Sequence, residues 1–169
     1  WVEGLNFHEA VKQPTETRRK YAETMWRFAY KSVLIGGQFN ADPHPGNYKF
    51  HEDGRVSFLD HGCIQEANAT KRAEGIATHY AACTGDVPAF EAASRRMLKL
   101  RGGVFEEAAL EYLHEAFKPQ SHSPYRIERH YVAGLAKRFK DIFDVARKAK
   151  DDSYVPFDDG VFFLNRLQF

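Results

Sequence analysis

At 169 residues and 19.4 kDa the chain has the length of one ordinary domain, enough to bury a sizeable core, which excludes a multidomain machine. Its 24 Lys and Arg against 23 Asp and Glu give a formal charge of +1, a balance that gives no sign of a nucleic-acid partner. A hydrophobic fraction of 43% and an aromatic fraction of 14% exclude a disordered chain.

Cys63 and Cys83 are too few for a disulfide framework and are expected to be reduced, buried and structural. No apolar run approaches the roughly 18 residues of a membrane span, and the opening Trp1-Val2-Glu3-Gly4 shows no charged-then-apolar signal pattern. The opening at Trp1-Val2-Glu3-Gly4 and the apolar close from Val161 to Phe169 read as a piece of a longer protein.

After Pro14, the apolar residues Tyr21, Met25, Phe28 and Ile35, with Ser32 among them, recur at helical steps, and Gly36-Gly37 supplies the stop. That stripe is expected to be core rather than a quinone-binding surface. Residues 47–59 change period, with Tyr48 and Phe50 alternating, then Val56 and Phe58, around Asp53-Gly54, which predicts two short strands. Helical patterning returns over Ile76–Cys83, Val87–Leu100 ended by Gly102-Gly103, and Val104–Phe117 ended by Pro119. A longer helix is expected from about Pro124 to Lys150, with Ile127, Tyr131, Leu135, Ile142 and Ala146 on one stripe. Its Arg and Lys residues interleave with Glu128, Asp141 and Asp144, so the basic face reads as solvated.

The chemistry concentrates in Asn40-Ala41-Asp42-Pro43-His44-Pro45-Gly46-Asn47, the hairpin, and Leu59-Asp60-His61-Gly62. A two-residue turn at Asp53-Gly54 would set Glu52 against Arg55 and hence Asn47 against Asp60. Opposed residues of an antiparallel pair lie about 4.5 to 5.5 Å apart and share a face. A carboxylate and an amide oxygen would then converge, a donor set that suits Mg²⁺ with water and phosphate oxygens completing its shell. A three-residue loop would break that argument. Asp42, in the same loop as Asn47, adds a carboxylate able to accept a proton or orient a nucleophile. Phosphoryl transfer uses such a set, and the spacings Asp42 to Asn47 and Asn47 to Asp60 look like those of the protein-kinase fold.

These segments resemble the UbiB/AarF-type atypical kinases linked to ubiquinone biosynthesis, whose hallmark is similar to His-Ala-Asp-Pro-His-Pro-Gly-Asn followed by Leu-Asp-Phe-Gly. Trp1-Val2-Glu3-Gly4 resembles the segment after the family's hinge, and Val155–Leu167 a late helix. The resemblance implies an α+β, predominantly helical fold, the C-terminal lobe of a protein-kinase-like enzyme, with residues 1–169 as a single domain carrying a short catalytic hairpin. It implies Asp42 as the catalytic-loop acid, and Asn47 and Asp60 as metal ligands that bind ATP phosphates through Mg²⁺.

Two positions depart from that pattern, Asn40 where the family usually has His and His61 where it usually has Phe. The Lys, Glu and phosphate-covering loop of an N-terminal lobe are not in this sequence, so the fragment alone is expected to bind ATP weakly and to be inactive. Implied partners are that missing lobe and membrane lipid or quinone-pathway proteins, on a cytoplasmic membrane face or, in a eukaryote, in a mitochondrion or plastid.

Other readings stay open. They are a pseudokinase that binds nucleotide without turnover, an aminoglycoside-phosphotransferase-like small-molecule kinase, a His/Asp transition-metal hydrolase using His44 and His61, and a purely structural role for Asp42, Asn47 and Asp60 as turn residues. His44 is expected to fix the loop by hydrogen bonding, His51 to lie at the surface, and His79 to pack between helices.

Overall fold

Element boundaries follow the Gly and Pro punctuation closely in the first half of the chain and less closely in the second. The computed structural model describes residues 1–40 and 43–150. Asp42 and the Val155–Leu167 segment therefore lie outside the described residues. The chain divides into two compact units, Trp1–Arg72 and a second that begins at Ala73.

The first unit opens with a one-turn helix α1 (Phe7–Ala10), where Asn6 and Glu9 cap each other reciprocally. Helix α2 (Thr15–Leu34) starts directly after Pro14 and ends before Gly36-Gly37, as the spacing predicts. Its stripe is core, with Tyr21 buried and Met25 and Phe28 half-buried, but Ile35 sits past the last turn at 71% exposure and Val33 is buried instead. The stripe faces a hairpin of β2 (Tyr48–Phe50) and β3 (Val56–Phe58). Phe28 stacks on Phe58 with centroids 3.7 Å apart, and Tyr21 meets Phe50 edge-on at 5.0 Å.

Two further strands, absent from the sequence expectation, form a second antiparallel pair. Strand β1 (Gln38–Asn40) lies against β4 (Ile64–Glu66), with Gln38 opposite Glu66 and Asn40 opposite Ile64. They clasp the base of the motif segment. Gly37, at φ +70°, turns the chain out of α2, and the Ala67 N–H donates to the Gly37 carbonyl at 2.7 Å. The Arg72 guanidinium donates to the Ile35 carbonyl at 3.1 Å beside it.

Helix α3 (Ala69–Thr84) crosses the boundary between the units, followed by α4 (Val87–Leu98), α5 (Gly103–Ala116), the short α6 (Lys118–Ser121) and α7 (Arg129–Ala149). Asp86 caps α4 through the Ala89 N–H, and Lys99 closes it in the left-handed conformation. The expected long helix starts at Arg129, five residues later than the apolar pattern suggests, and Ile127 is 47% exposed. Glu128, the residue before it, is in extended backbone.

Leu135, Ile142 and Ala146 are buried with Phe90, Leu113 and Phe117 in the core of the second unit. Several of its basic residues are ion-paired at the surface, as in Arg138 with Glu111 and Arg147 with Asp144, in keeping with a solvated face. Both cysteines are free thiols and both are exposed, contrary to the expectation of burial. Cys63 lies in the turn before β4, and Cys83 on α3 follows the buried pair Ala81 and Ala82. Among the described residues no helix is long and apolar enough to cross a membrane.

Candidate functional site

The motif loop reaches the hairpin through a single 3-10 turn at Pro45–Asn47. His44 caps it, its Nδ1 accepting from the Gly46 N–H at 3.1 Å while its carbonyl accepts from the Asn47 N–H at 2.9 Å. The expected structural role of His44 is therefore met, and Nδ1 is occupied by the loop itself. Asn47 leaves this turn half-buried, directly before β2.

The hairpin register differs from the sequence expectation by one residue. Tyr48 pairs with Phe58, Lys49 with Ser57 and Phe50 with Val56. His51 and Arg55 close the ladder through His51 N–H to Arg55 carbonyl at 3.0 Å, which leaves Glu52, Asp53 and Gly54 as a three-residue loop. Gly54 adopts φ +92°, and a β-carbon there would lie 2.8 Å from Lys20 Cβ. Asp53 Oδ1 accepts from the Arg55 backbone N–H at 3.0 Å, a bond that, ahead of the Arg55 guanidinium, holds the Asp53 carboxyl below the usual carboxylate range. His51 Nε2 lies 2.9 Å from Ser57 Oγ, so this ring is half-buried and bonded across the hairpin rather than a bare surface residue.

The consequence is a correction. Asn47 opposes Leu59, whose N–H donates to the Asn47 carbonyl at 2.8 Å, and direct opposition of Asn47 and Asp60 is lost. Both residues still stand at the open end of the hairpin, because Asp60 is the next residue after Leu59.

Asp60 is fixed from two sides. Its Oδ1 accepts from the Gly62 N–H at 2.7 Å, a tight Asx turn, and its carbonyl accepts from Asn40 Nδ2 at 3.1 Å. Asn40, on β1, reaches across twenty residues of sequence to do this. Sequence reading marks Asn40 only as a departure from a family pattern and gives it no partner. Its signal was present in the position alone, at the end of a strand too short to show alternation. His61 is exposed.

The residues brought together are thus Asn40, Asn47, Asp60 and Gly62. The Asn47 amide and the exposed Asp60 carboxylate are oxygen donors of the kind that could hold Mg²⁺, which takes one or two protein oxygens and keeps the rest of its shell for water and phosphate. Among the described residues no group of three His, Cys, Asp or Glu could hold a metal ion.

Residues 1–94, more than half of the chain, match the model of the ABC1 atypical kinase-like domain. The chain belongs to the ABC1 atypical kinase-like family. The UbiB/AarF-type resemblance is consistent with that membership. The ABC1 match covers the whole first unit, including the loop, the hairpin and the clasp, and ends within α4.

Among curated relatives, the chain is 34% identical over 68 residues to "Protein ACTIVITY OF BC1 COMPLEX KINASE 3, chloroplastic" of Arabidopsis thaliana, covering 39% of this chain and 10% of that protein. Two uncharacterized proteins of Synechocystis sp. are 30% and 31% identical over 71 and 74 residues, covering 38% and 43% of this chain. The matched segments span 10% to 17% of these three relatives.

Proposed function

We propose that the protein is the catalytic-loop portion of an Mg²⁺-dependent ATP-binding kinase or ATPase of the UbiB/AarF type. The observation that carries this reading is the clamped Asp60, held by Asn40 and Gly62 beside the residue that pairs with Asn47. A carboxylate fixed by a backbone N–H pays little reorganisation when it meets a cation. Family membership adds independent support.

In this reading Asp60 and the Asn47 amide would hold the metal at the open end of the hairpin. Bound Mg²⁺ supplies neutralisation of the charge on the transferring phosphoryl group. Asp42 accepts the proton of the attacking hydroxyl or water, or orients it. His44 keeps the loop between Asp42 and Asn47 in shape through its bond to Gly46. Asn40 keeps the Asp60 backbone in place.

The phosphate-covering elements belong to an N-terminal lobe of the longer protein, and the reaction is linked to quinone or isoprenoid-lipid metabolism at a membrane surface, with a protein, a small metabolite or water as acceptor. The first of these follows from how kinase-like enzymes hold ATP, the second from the UbiB/AarF resemblance alone.

The test compares the full-length parent with its Asp60→Asn variant, measuring Mg²⁺-dependent ATP affinity and turnover with and without lipid vesicles. Loss of the carboxylate should lower turnover by about 100-fold or more. Nucleotide binding that depends on Asp60 without any turnover would make the protein a pseudokinase. Binding and turnover that ignore Asp60 would reduce the clamp to a turn and overturn the assignment.

A further inference from the structure

An open trough of about 320 Å³ lies between α3 and α4 of the second unit. Its floor is made of methyl groups, from Ala77 and Ala81 on α3 and Ala89, Ala92 and Ala93 on α4, so the two helices leave open a volume that larger side chains would fill. Tyr80 and Arg96 stand as its walls. Ile76 lies one turn before Tyr80 on α3, and Val87 opens α4, and the three are 45%, 72% and 51% exposed in chain order, Ile76, Tyr80 and Val87. A grouped apolar surface of this kind on paired helices marks a place where another segment packs.

Helix directions decide which segment reaches it. Helix α7 runs antiparallel to α5, since Phe143 meets Phe105 near the start of α5 and Tyr131 Oη donates to the Glu115 carbonyl near its end. Helix α4 is antiparallel to α5 as well, since Arg95 pairs with Glu106 and Phe90 meets His114. The end of α7, the start of α5 and the end of α4 therefore share one end of the unit. Lys150 closes α7 there in the left-handed conformation, and Arg96, a wall of the trough, follows Arg95 directly.

The sequence after Lys150 matches the trough in order as well as in place. Asp151, Asp152, Asp158 and Asp159 come first, and the end of α4 carries Arg96, which also pairs with Glu74, together with the exposed Lys99 and Arg101. The apolar run from Val161 to Phe169 comes next, with Phe162 and Phe163 near its start, and the Ala floor lies beyond Arg96 along α4. Residues 151–160 can span up to about 33 Å when extended, whereas the floor from Arg96 back to Ala89 is about 10 Å long. Reach is no obstacle.

We propose that residues 161–169 of this same chain dock in the α3–α4 trough, with the aspartates at the basic end of α4 and the Phe side chains over the Ala floor. This docking is independent of the reading of the hairpin.

The test uses the full chain with Cys63→Ser and a nitroxide on Cys83, an exposed thiol on α3 that flanks the trough without lining it. By NMR, the resonances of 161–169 are expected to lose most of their intensity and to recover it when the nitroxide is reduced. Mixing with excess unlabelled chain should leave that loss unchanged.

Ala92→Glu, at an exposed position of the floor, should restore the intensity. Phe162→Ser/Phe163→Ser should restore it from the other side, and this pair decides alone if Ala92→Glu disturbs α4. Full intensity at 161–169 beside the nitroxide, or a loss that persists in the Phe variant, overturns the proposal. A loss that vanishes on mixing assigns the trough to a second copy and overturns it too.

Discussion

The two units solve the folding problem with different materials. In the first, three-residue strands, a 3-10 turn and a one-turn helix are held by directional bonds at named backbone atoms, and Asp60 stays exposed. In the second, longer helices bury Leu113, Phe117 and their neighbours, and polar detail is mostly at the rim. The family match covers all of the first and stops early in the second. Bond geometry around a site admits few residue types, whereas a helical core accepts any apolar set of the right volume, so sequence likeness fades there first.

That contrast can be broken by measuring where stability resides. Phe117→Ala, in the helical core at 1% exposure, should cost about 3 to 5 kcal/mol in denaturant unfolding. A loss under about 1 kcal/mol would mean that the second unit does not rest on buried volume.

The next largest effect is a pH dependence confined to the second unit. His79 packs against Phe117 with centroids 4.9 Å apart, and burial pushes its pKa down to about 4 from 6.5. The unfolded chain therefore takes up the proton first. Stability falls as pH drops from about 6.5 to about 4, by about 3 kcal/mol at most, and is fully restored above 6.5. Parent and His79→Leu stability curves between pH 4 and 8 should differ in slope only below about 6.5.

Smaller effects belong to the first unit. Gly54→Ala should cost about 1 to 2 kcal/mol, through both its positive φ and the approach to Lys20 Cβ. Asn40→Ala should cost only about 1 kcal/mol of stability. In the full-length parent, however, it should lower ATP turnover far more than that figure implies, because the bond it removes positions Asp60. Asn40→His, the residue usual in the family, should recover turnover. An Asn40→Ala enzyme with normal turnover would erase the distinction between bonds that hold the fold and bonds that hold the site.

Long elements were legible because their periods run for many residues. Helix α2 and its Tyr21, Met25, Phe28 stripe emerge from spacing alone, and so do α4, α5 and the second half of α3, whose start at Ala69 lies seven residues before the expected Ile76. Strands β1 and β4 were not legible, since they are as short as β2 and β3 but have no turn signal such as Asp53-Gly54 joining them. The hairpin was found and its register missed, because Asp53-Gly54 serves equally in a two-residue turn and at the end of a three-residue loop. Only the position of Gly54 against Lys20 separates the two, and that is tertiary information. The start of α7 was misplaced because nothing around Glu128 signals a cap in the sequence. At the site, the residue types were legible and the Asn40 to Asp60 bond was not.

The clasp at the base of the motif segment has a kinetic consequence. Residues 48–58 can zip up over a three-residue loop, a local event on the scale of microseconds. Pairing Gln38 with Glu66 and tying Gly37 to Ala67 must instead wait until the chain between them has been gathered, since loop-closure entropy is charged before those contacts form. Contact order thus predicts that the hairpin forms before the neck, an order that φ-values at Phe50 and Phe39 would check.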